Sequence, residues 1–224
     1  MSLGDYMATK EKKKEVKAKY TLGEEIVNSI SHGIGAGLAI AGLVLICCLA
    51  HSAIGVVSGV IYASLMIILF TISCVYHSLS PRLTGKKVLR VIDHCDVLLM
   101  VAGTYTPICL SLIGGKLGWI VFSIVWAITI IAIVFNCLNL EKYKYVCLAC
   151  NLIVGWSALI IIKQLLSLCP RTGIVLLIAG GIVYSIGAIL YAVGHKVRYV
   201  HSVFHFFVLG GAILHYFLIL FYVV

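Results

Sequence analysis

The sequence has few charged residues for its length. Of its 224 residues, only 11% are Asp, Glu, Lys or Arg, whereas 62% are hydrophobic and the mean hydropathy is +1.12. A soluble domain carries about 25% charged residues because its surface faces water. This shortage of charge excludes a water-soluble globular protein and indicates an integral membrane protein.

The hydrophobic residues fall into continuous runs of membrane length. A membrane helix needs about 20 mostly apolar residues, and the runs lack the period-two alternation that is typical of a transmembrane β-barrel. We predict an all-α, seven-helix transmembrane bundle with short connections and no attached soluble domain. The predicted spans are residues 29–50, 54–78, 91–113, 117–138, 143–164, 172–194 and 200–223.

The N-terminal segment differs from the rest of the chain. Residues 1–22 contain six lysines and are predicted to form a basic cytoplasmic tail, ahead of a transmembrane domain at residues 23–224. Apart from Tyr6 and Tyr20, the tail has none of the aromatic or structured partners that nucleic-acid binding needs. We therefore expect no nucleic-acid partner.

The distribution of Lys and Arg predicts the orientation in the membrane. When the seven spans are followed from side to side, one side collects fourteen of these residues and the other side three. Because basic residues concentrate in cytoplasmic loops, the N-terminus is predicted to lie inside the cell. An odd number of spans then places the C-terminus outside.

Two histidines stand four residues apart in the last span. On a helix, His201 and His205 lie on one face, about 6 Å apart along the axis. Ionisable side chains at membrane depth are costly, and they usually pair, bind a metal or take part in transport. Metal binding is one interpretation of this pair, and hydrogen bonding between helices is the other.

The predicted topology brings more polar residues to the same depth. His77 ends span two and Asp93 begins span three, both on the side where span seven begins. Three neutral imidazoles with one open position form the ligand set of a catalytic zinc site, so His77, His201 and His205 are candidate ligands. Asp93 is a candidate to orient and deprotonate a bound water. Ser73, one turn before His77, faces the same pocket.

Four sequence blocks carry a family resemblance. They are residues 24–33, 73–77, 93–107 and 201–205, in this order along the chain. On these blocks the chain resembles the hemolysin III-type proteins, prokaryotic relatives of the progestin and adipoQ receptors, which include the adiponectin receptors. That family has seven helices with the N-terminus inside, in agreement with the distribution of basic residues.

The resemblance implies a zinc enzyme. In the family, zinc is held by a histidine at the end of helix two and by two histidines on helix seven, which correspond to His77, His201 and His205. The aspartate that holds the zinc-bound water corresponds to Asp93, and the serine one turn before the first ligand corresponds to Ser73. The receptor relatives hydrolyse ceramide weakly, and alkaline ceramidases carry similar motifs. A zinc-dependent hydrolase of a lipid amide or ester is the expected activity.

Other polar residues are predicted to support this pocket. Glu25, Asn28 and His32 are spaced i, i+3 and i+7, so they share one face at the inner end of span one. Asp96 lies one turn beyond Asp93 and deeper in the membrane, where we expect a buried carboxyl group. These four residues are assigned a supporting role.

The remaining histidines and the cysteines are predicted to stay outside the site. His94 points about 100° away from Asp93, which favours packing over metal binding. His215 lies about 21 Å from His201 along the helix, and His51 and His195 fall in loops. The lone Cys147-x-x-Cys150 motif has no second pair to complete a zinc site, so these cysteines are interpreted as small apolar residues.

Three functions remain open at this point. The first is the zinc-dependent hydrolase, acting on a membrane lipid in the plasma membrane of a bacterium. The second is a receptor or membrane-state sensor in which zinc is structural. The third is a cytolysin, suggested by the haemolytic phenotype that named the family, with lysis either through a pore or indirectly. An aqueous pore needs polar residues along several helices, whereas the polar residues here lie at the inner ends.

Overall fold

The computed structural model describes residues 19–194 and 197–224. Residues 1–18 of the predicted basic tail, and the loop residue His195, therefore lie outside the described residues. The described part consists of helices joined by short connections.

Eight α-helices follow one another in the described residues. They are α1 (Leu22–Leu49), α2 (Ala53–Ser78), α3 (Thr84–Pro107), α4 (Gly115–Leu138), α5 (Leu140–Trp156), α6 (Ile162–Leu168), α7 (Arg171–Val193) and α8 (Val200–Tyr222). Six spans are long and apolar enough to cross a membrane, with α3 extended to Ile113, and α5 and α6 together give a seventh if the bent pair counts as one span. The all-helical membrane bundle is thus confirmed, whereas its sidedness stays a prediction.

The outward faces of the helices are apolar. On α1, Ile26, Ile30, Ile34 and Leu38 form a row at every fourth residue, and each is between 49% and 59% exposed. Similar exposed rows of Ile, Leu and Val occur on α2, α4 and α7. Such surfaces suit contact with lipid chains and would be unfavourable in water.

The first helix begins earlier than the sequence predicted. It starts at Leu22 rather than at residue 29, because Thr21 and Glu24 form a reciprocal capping box and two carboxylates occupy the first turn. Both features stabilise a helix N-terminus. Glu24 and Glu25 therefore belong to the bundle itself. Helix α3 likewise begins at Thr84 rather than at residue 91.

The fifth predicted span is not one continuous helix. Helix α5 ends at Trp156, and after a short 3₁₀ segment α6 continues at an angle of 54°. The hydroxyl of Tyr105 on α3 donates to the carbonyl oxygen of Val154 at 2.9 Å and lies 2.9 Å from the hydroxyl of Ser157. Tyr105 also donates to the carbonyl oxygen of Gly155 at 3.1 Å, so a side chain from another helix contacts the backbone carbonyls at the break, where a membrane bundle needs polar partners.

Pro107 changes the helical geometry, as its missing N–H group predicts. The α-helical part of α3 ends there and continues as a π-helix over Ile108–Ile113. Gly114 follows with a φ of 60°, a left-handed conformation that favours glycine. On α4, a Cβ atom at Gly118 would lie 2.1 Å from the carbonyl oxygen of Cys109, so only glycine permits this close approach between α4 and the π-helix.

The first turns of α1, α3 and α8 meet the last turns of α2 and α7 at one end of the bundle. We call it the histidine end. There, Glu25 on α1 contacts His77 on α2, and Tyr191 on α7 packs against His201 on α8. At the opposite end, the π-helix contacts the start of α4. Most of the ionisable side chains that bond across helices are thus gathered at one end.

Candidate metal centre

Three buried imidazoles converge at the histidine end. His77 comes from the last turn of α2, and His201 and His205 come from the first two turns of α8. One nitrogen of each ring lies within 4.8 Å of the corresponding nitrogens of the other two. None of the three residues is more than 7% exposed. This group could hold a metal ion. The same three histidines were predicted as candidate ligands from the topology of the spans.

The donor atoms suit a zinc ion. Nitrogen ligands at 2.0–2.1 Å from a tetrahedral zinc lie about 3.3 Å from one another, and the Nε2 atoms of His201 and His205 are 3.2 Å apart. Nε2 of His77 is buried and has no hydrogen-bond partner in the described part of the chain. A hydrogen bond between His201 and His205 would satisfy only those two rings. A cation held by all three rings also removes the cost of the unpaired nitrogen of His77, about 1–3 kcal/mol.

A carboxylate fixes the orientation of the His77 ring. Oε2 of Glu25 lies 2.6 Å from Nδ1 of His77, and Nδ2 of Asn28 lies 3.4 Å from the same nitrogen. When Nδ1–H donates to the carboxylate, the lone pair of the neutral ring is on Nε2, on the side of the other two histidines. A histidine that binds a metal is commonly held in its tautomer in this way.

The same carboxylate is held by a lysine. Nζ of Lys86, on the first turn of α3, donates to Oε1 of Glu25 at 2.6 Å and to the carbonyl oxygen of Leu79 at 2.8 Å. Lys86 is only 8% exposed. Because Glu25 uses one oxygen for each partner, it joins α1, α2 and α3 around the candidate ligand His77.

His32 lies one level deeper on the same face of α1. Its ring centroid is 3.9 Å from that of His205 and 5.1 Å from that of Phe70. His32 therefore packs directly against one of the three imidazoles. The structure places Glu25, Asn28 and His32 in contact with candidate ligands, as their spacing in the sequence predicted.

Asp93 lies beside the imidazole group without belonging to it. Its Oδ2 is 3.4 Å from Nδ1 of His94, and its side chain is 14% exposed. The hydroxyl of Ser73, on a residue that is 2% exposed, lies next to this carboxylate. The structure thus brings Ser73 and Asp93 together beside His77. It also places His94 at the Asp93 carboxylate, a contact that the sequence analysis did not predict.

The other polar residues named from the sequence are placed as follows. Asp96 is 4% exposed, and its Oδ2 has no partner among the described residues. His215 contacts the carbonyl oxygen of Leu177 through Nε2 at 3.1 Å, far along α8 from the imidazole group. His51 is exposed in the connection between α1 and α2.

Residues at the start of the described chain cover the group, and the sequence analysis missed them. The ring of Tyr20 stacks on that of His201, with centroids 4.6 Å apart and an interplanar angle of 15°. Oε1 of Glu24 accepts a hydrogen bond from the N–H group of Tyr199 at 2.8 Å, and Tyr199 has a left-handed φ of 62°. This bond ties the start of α8, two residues before His201, to α1. The Thr-x-x-Glu capping pattern could have signalled Glu24, whereas nothing local in the sequence marks Tyr20 or Lys86.

A cavity of about 160 Å³ extends from the group into the membrane domain. Its lining includes Asp93, His94, Lys144, Tyr191 and His201 at the histidine end, and Ile108, Trp156, Leu177 and His215 further along. Between these ends the exposed wall surface is mainly apolar, with Leu, Val and Met side chains on α3, α5 and α8 and a few polar side chains such as Thr104, Asn151 and Ser185. His215 lies fourteen positions after His201 on α8, which corresponds to about 21 Å of helix. A long apolar cavity therefore begins at one of the three imidazoles.

The sequence profile described as haemolysin-III related matches residues 20–216. The chain belongs to this family. It is 37% identical over 204 residues to Hemolysin-3 of Bacillus cereus, an alignment that covers 89% of this chain and 92% of that protein. It is also 37% identical over 208 residues to the Hemolysin-3 homolog of Bacillus subtilis strain 168, covering 92% and 97% of the two chains.

More distant relatives occur in mammals. The human Monocyte to macrophage differentiation factor is 26% identical over 212 residues, covering 90% of this chain and 85% of that protein. The family assignment confirms the resemblance drawn from the four sequence blocks. It supports a multi-pass membrane protein with bacterial homologues.

Proposed function

We propose that this protein is a zinc-dependent hydrolase of a lipid amide or ester. The observation that carries the proposal is the position of three buried imidazoles and the carboxylate of Asp93 at the head of a long apolar cavity. The imidazoles supply a metal site, the carboxylate supplies a base, and the cavity suits an acyl chain. A metal that only braced helices would require neither the base nor the cavity.

His77, His201 and His205 would hold the zinc. Bound zinc acts as a Lewis acid that polarises a carbonyl group and lowers the pKa of water to about 7. Glu25 keeps the Nε2 lone pair of His77 available through the 2.6 Å bond at Nδ1. His32 packs on His205 and limits its rotation.

The reaction also needs a proton acceptor and a means of orienting water. Asp93 is the general base in this proposal, because its carboxylate lines the cavity at the imidazole group. It takes a proton from the water that attacks the lipid carbonyl carbon, and it can return that proton to the leaving amine or alcohol. Ser73 orients the attacking water or the carboxylate through its hydroxyl. His94, in contact with Asp93, helps to hold the carboxylate in place.

In this proposal, the cavity would hold the acyl chain of the substrate. An extended chain would lie between α3, α5, α7 and α8, with its carbonyl group near Asp93 and His201. The mainly apolar walls would exclude water from the chain and leave the reacting carbonyl at the end of the cavity that carries Asp93, His94 and Lys144. We further propose that the histidine end faces the cytoplasm of a bacterial plasma membrane, with the N-terminus inside and the C-terminus outside, since most Lys and Arg residues lie on that side.

The proposal is tested by measuring fatty acid release from ceramides, acylglycerols and phospholipids by purified protein. We expect zinc-dependent release by the wild type, and a rate at least about 100-fold lower for Asp93→Asn at unchanged zinc content, as expected for loss of a general base. Ser73→Ala should be slowed less. If the zinc-loaded wild type releases no fatty acid from any of these lipids, or if Asp93→Asn is as active as the wild type, the hydrolase proposal is wrong.

A receptor or membrane-state sensor with structural zinc is the second candidate. The observation in its favour is that the histidine ligands and the contacts of Glu25 and Lys86 join four helices, α1, α2, α3 and α8. Under this proposal, His201→Ala would lower the thermal stability of the bundle, while Asp93→Ala would leave cellular function intact. The opposite pattern favours the hydrolase. Direct pore formation receives no support from the described residues, whose cavity has mainly apolar walls.

A further inference from the structure

Basic side chains surround the head of the cavity on its outer side. Lys144, on the first turns of α5, lines the cavity together with Asp93 and His201. Arg90 lies on α3 three residues before Asp93 and four before His94, so it continues the cavity-lining face of α3 toward the end of the bundle. Lys19 stands close to Arg90 and Lys144. Lys144 from α5, Arg90 from α3 and Lys19 from the segment before α1 thus place three cations near this end of the cavity. We call these three residues the cavity mouth.

These cations are incompletely neutralised by the described carboxylates around them. Glu141 pairs with Arg90 and, at 3.4 Å, with Lys144, and Asp93 is the other carboxylate nearby. Among the residues that the structure describes, three positive charges therefore lie near two negative ones. Nε of Arg90 is buried without a partner in the described part of the chain, and Lys19 forms no ion pair with any described residue. The mouth can accept a further anion.

Burial of the ammonium group and the nearby positive charge both act on Lys19. Although the residue is exposed overall, partial burial of its ammonium group and repulsion from Arg90 lower the pKa of Lys19 to about 8. A basic surface alone is expected at the cytoplasmic side of any membrane protein. This cluster differs from such a surface because one of its members lines the cavity and another lies one turn from the cavity wall.

We propose that the mouth formed by Lys19, Arg90 and Lys144 binds the phosphate group of a lipid whose acyl chain occupies the cavity. This inference rests on the proposed function and narrows its substrate class to acyl lipids that carry a phosphate on the side of the leaving group. Arg offers paired N–H donors that match phosphate oxygens, and Lys adds a point charge. The carbonyl to be hydrolysed would then lie between the phosphate at the mouth and the chain in the cavity, beside Asp93.

The test compares two ether lipids that cannot be hydrolysed and that differ only in phosphate, 1-alkyl-glycerol-3-phosphate and 1-alkyl-glycerol. Their affinities for the zinc-loaded protein in neutral detergent are measured with wild type, Arg90→Gln, Lys144→Gln and Lys142→Gln. Lys142 is the control because it is exposed on the same helix and does not line the cavity. Inorganic phosphate alone is added as a separate competitor, which separates a lipid site from a site for free phosphate.

We expect the phosphate lipid to bind at least about tenfold more tightly than its neutral partner, as one charged hydrogen bond provides. Arg90→Gln and Lys144→Gln should each reduce this ratio several-fold, and Lys142→Gln should leave it unchanged. Equal affinities for the two lipids, an unchanged ratio in both mouth variants, or an equal loss in Lys142→Gln would overturn the proposal. Full competition by inorganic phosphate at the concentration of the lipid would also overturn it, in favour of a free-phosphate site.

The two proposals fail in different ways. If no acyl lipid is hydrolysed but the ether lipids still differ through Arg90 and Lys144, the hydrolase is wrong and the phosphate site stands. If acyl lipids with and without phosphate are hydrolysed equally by wild type and Lys144→Gln, and the ether lipids bind equally, the hydrolase stands and the phosphate site is wrong. If Arg90→Gln does not fold, the Lys144→Gln variant by itself tests the phosphate site. Lys144 can be replaced with little effect on folding because its side chain is already 29% exposed.

Discussion

At the histidine end, buried polar side chains form a connected network across helices, whereas toward the opposite end they form isolated bonds to backbone carbonyls or to one other side chain. Glu25 joins His77 to Lys86, but Ser111 donates to the carbonyl oxygen of Val223 and Tyr216 to that of Gly42. A backbone contact satisfies one polar atom and fastens two helices. A network of ionisable groups can also bind a ligand and move a proton.

The comparison shows where a membrane bundle concentrates its costly residues. A charged group within lipid is unfavourable unless it is paired. A functional cluster of ionisable residues therefore includes the side chains that pair with them. At the histidine end, two consecutive glutamates act as such partners. Glu24 accepts a hydrogen bond from the N–H group of Tyr199 at the start of α8, and Glu25 bonds to His77. At the opposite end, glycine and close backbone contact perform the packing.

The largest effect is expected from removing one ligand. His201→Ala should reduce the zinc content from about one ion per chain to near zero, because two imidazoles do not complete the ligand set. The matched control is His215→Ala, a buried histidine on the same helix that binds a backbone carbonyl. Metal analysis of both purified variants is the measurement. Zinc loss in His215→Ala, or retention in His201→Ala, would contradict the difference between the two regions.

A smaller effect is expected from Glu25→Gln. The variant keeps the shape of the side chain but weakens the bonds to His77 and Lys86, and loss of such an outer partner typically lowers metal affinity by about 10–100-fold. Competition with a chelator of known affinity measures the change. Glu141→Gln is the control, since that carboxylate is 58% exposed and bonds only to basic residues. A zinc affinity equal to that of the wild type would show that Glu25 does not position His77.

The smallest effects on the metal are expected at the opposite end. Gly118→Ala should lower stability by about 1–3 kcal/mol, because its Cβ would meet the carbonyl oxygen of Cys109, yet zinc content should not change. Gly37→Ala, where no atom lies within 4 Å of the added carbon, should be neutral or slightly stabilising. Thermal unfolding in detergent, with metal analysis, distinguishes the two. Zinc loss in Gly118→Ala would show that the two ends are coupled.

Much of the fold was accessible from the sequence because lipid imposes a simple rule. Every span must be apolar and helical, so the runs of hydrophobic residues located the helices, although two start points were late by seven residues each, at Leu22 and Thr84. The break after Trp156 was not predictable. Its partners include the Tyr105 hydroxyl, which belongs to a different helix and lies 49 residues away from Val154 in sequence.

The candidate site was accessible in part for the same reason. Topology and histidine spacing brought His77, His201 and His205 to one depth, and i, i+3, i+7 spacing grouped Glu25, Asn28 and His32. Neither pattern specified which atoms meet. Lys86 and Tyr20 were missed, because a lysine near a membrane end is ordinarily exposed, and a tyrosine before a helix has no characteristic partner.

Hydropathy and helical period are local properties, so the amino-acid sequence was sufficient to predict a helical membrane protein with three histidines at a common depth. The resemblance to the haemolysin-III-related family came separately, from four sequence blocks, and the family match confirms it. Three features became visible only in the folded bundle: Glu25 bonds to both His77 and Lys86, Tyr20 stacks on His201, and a long cavity begins beside Asp93. These features depend on the rotation of each helix about its axis and on the distance between helices, which are set by the packing of the whole bundle.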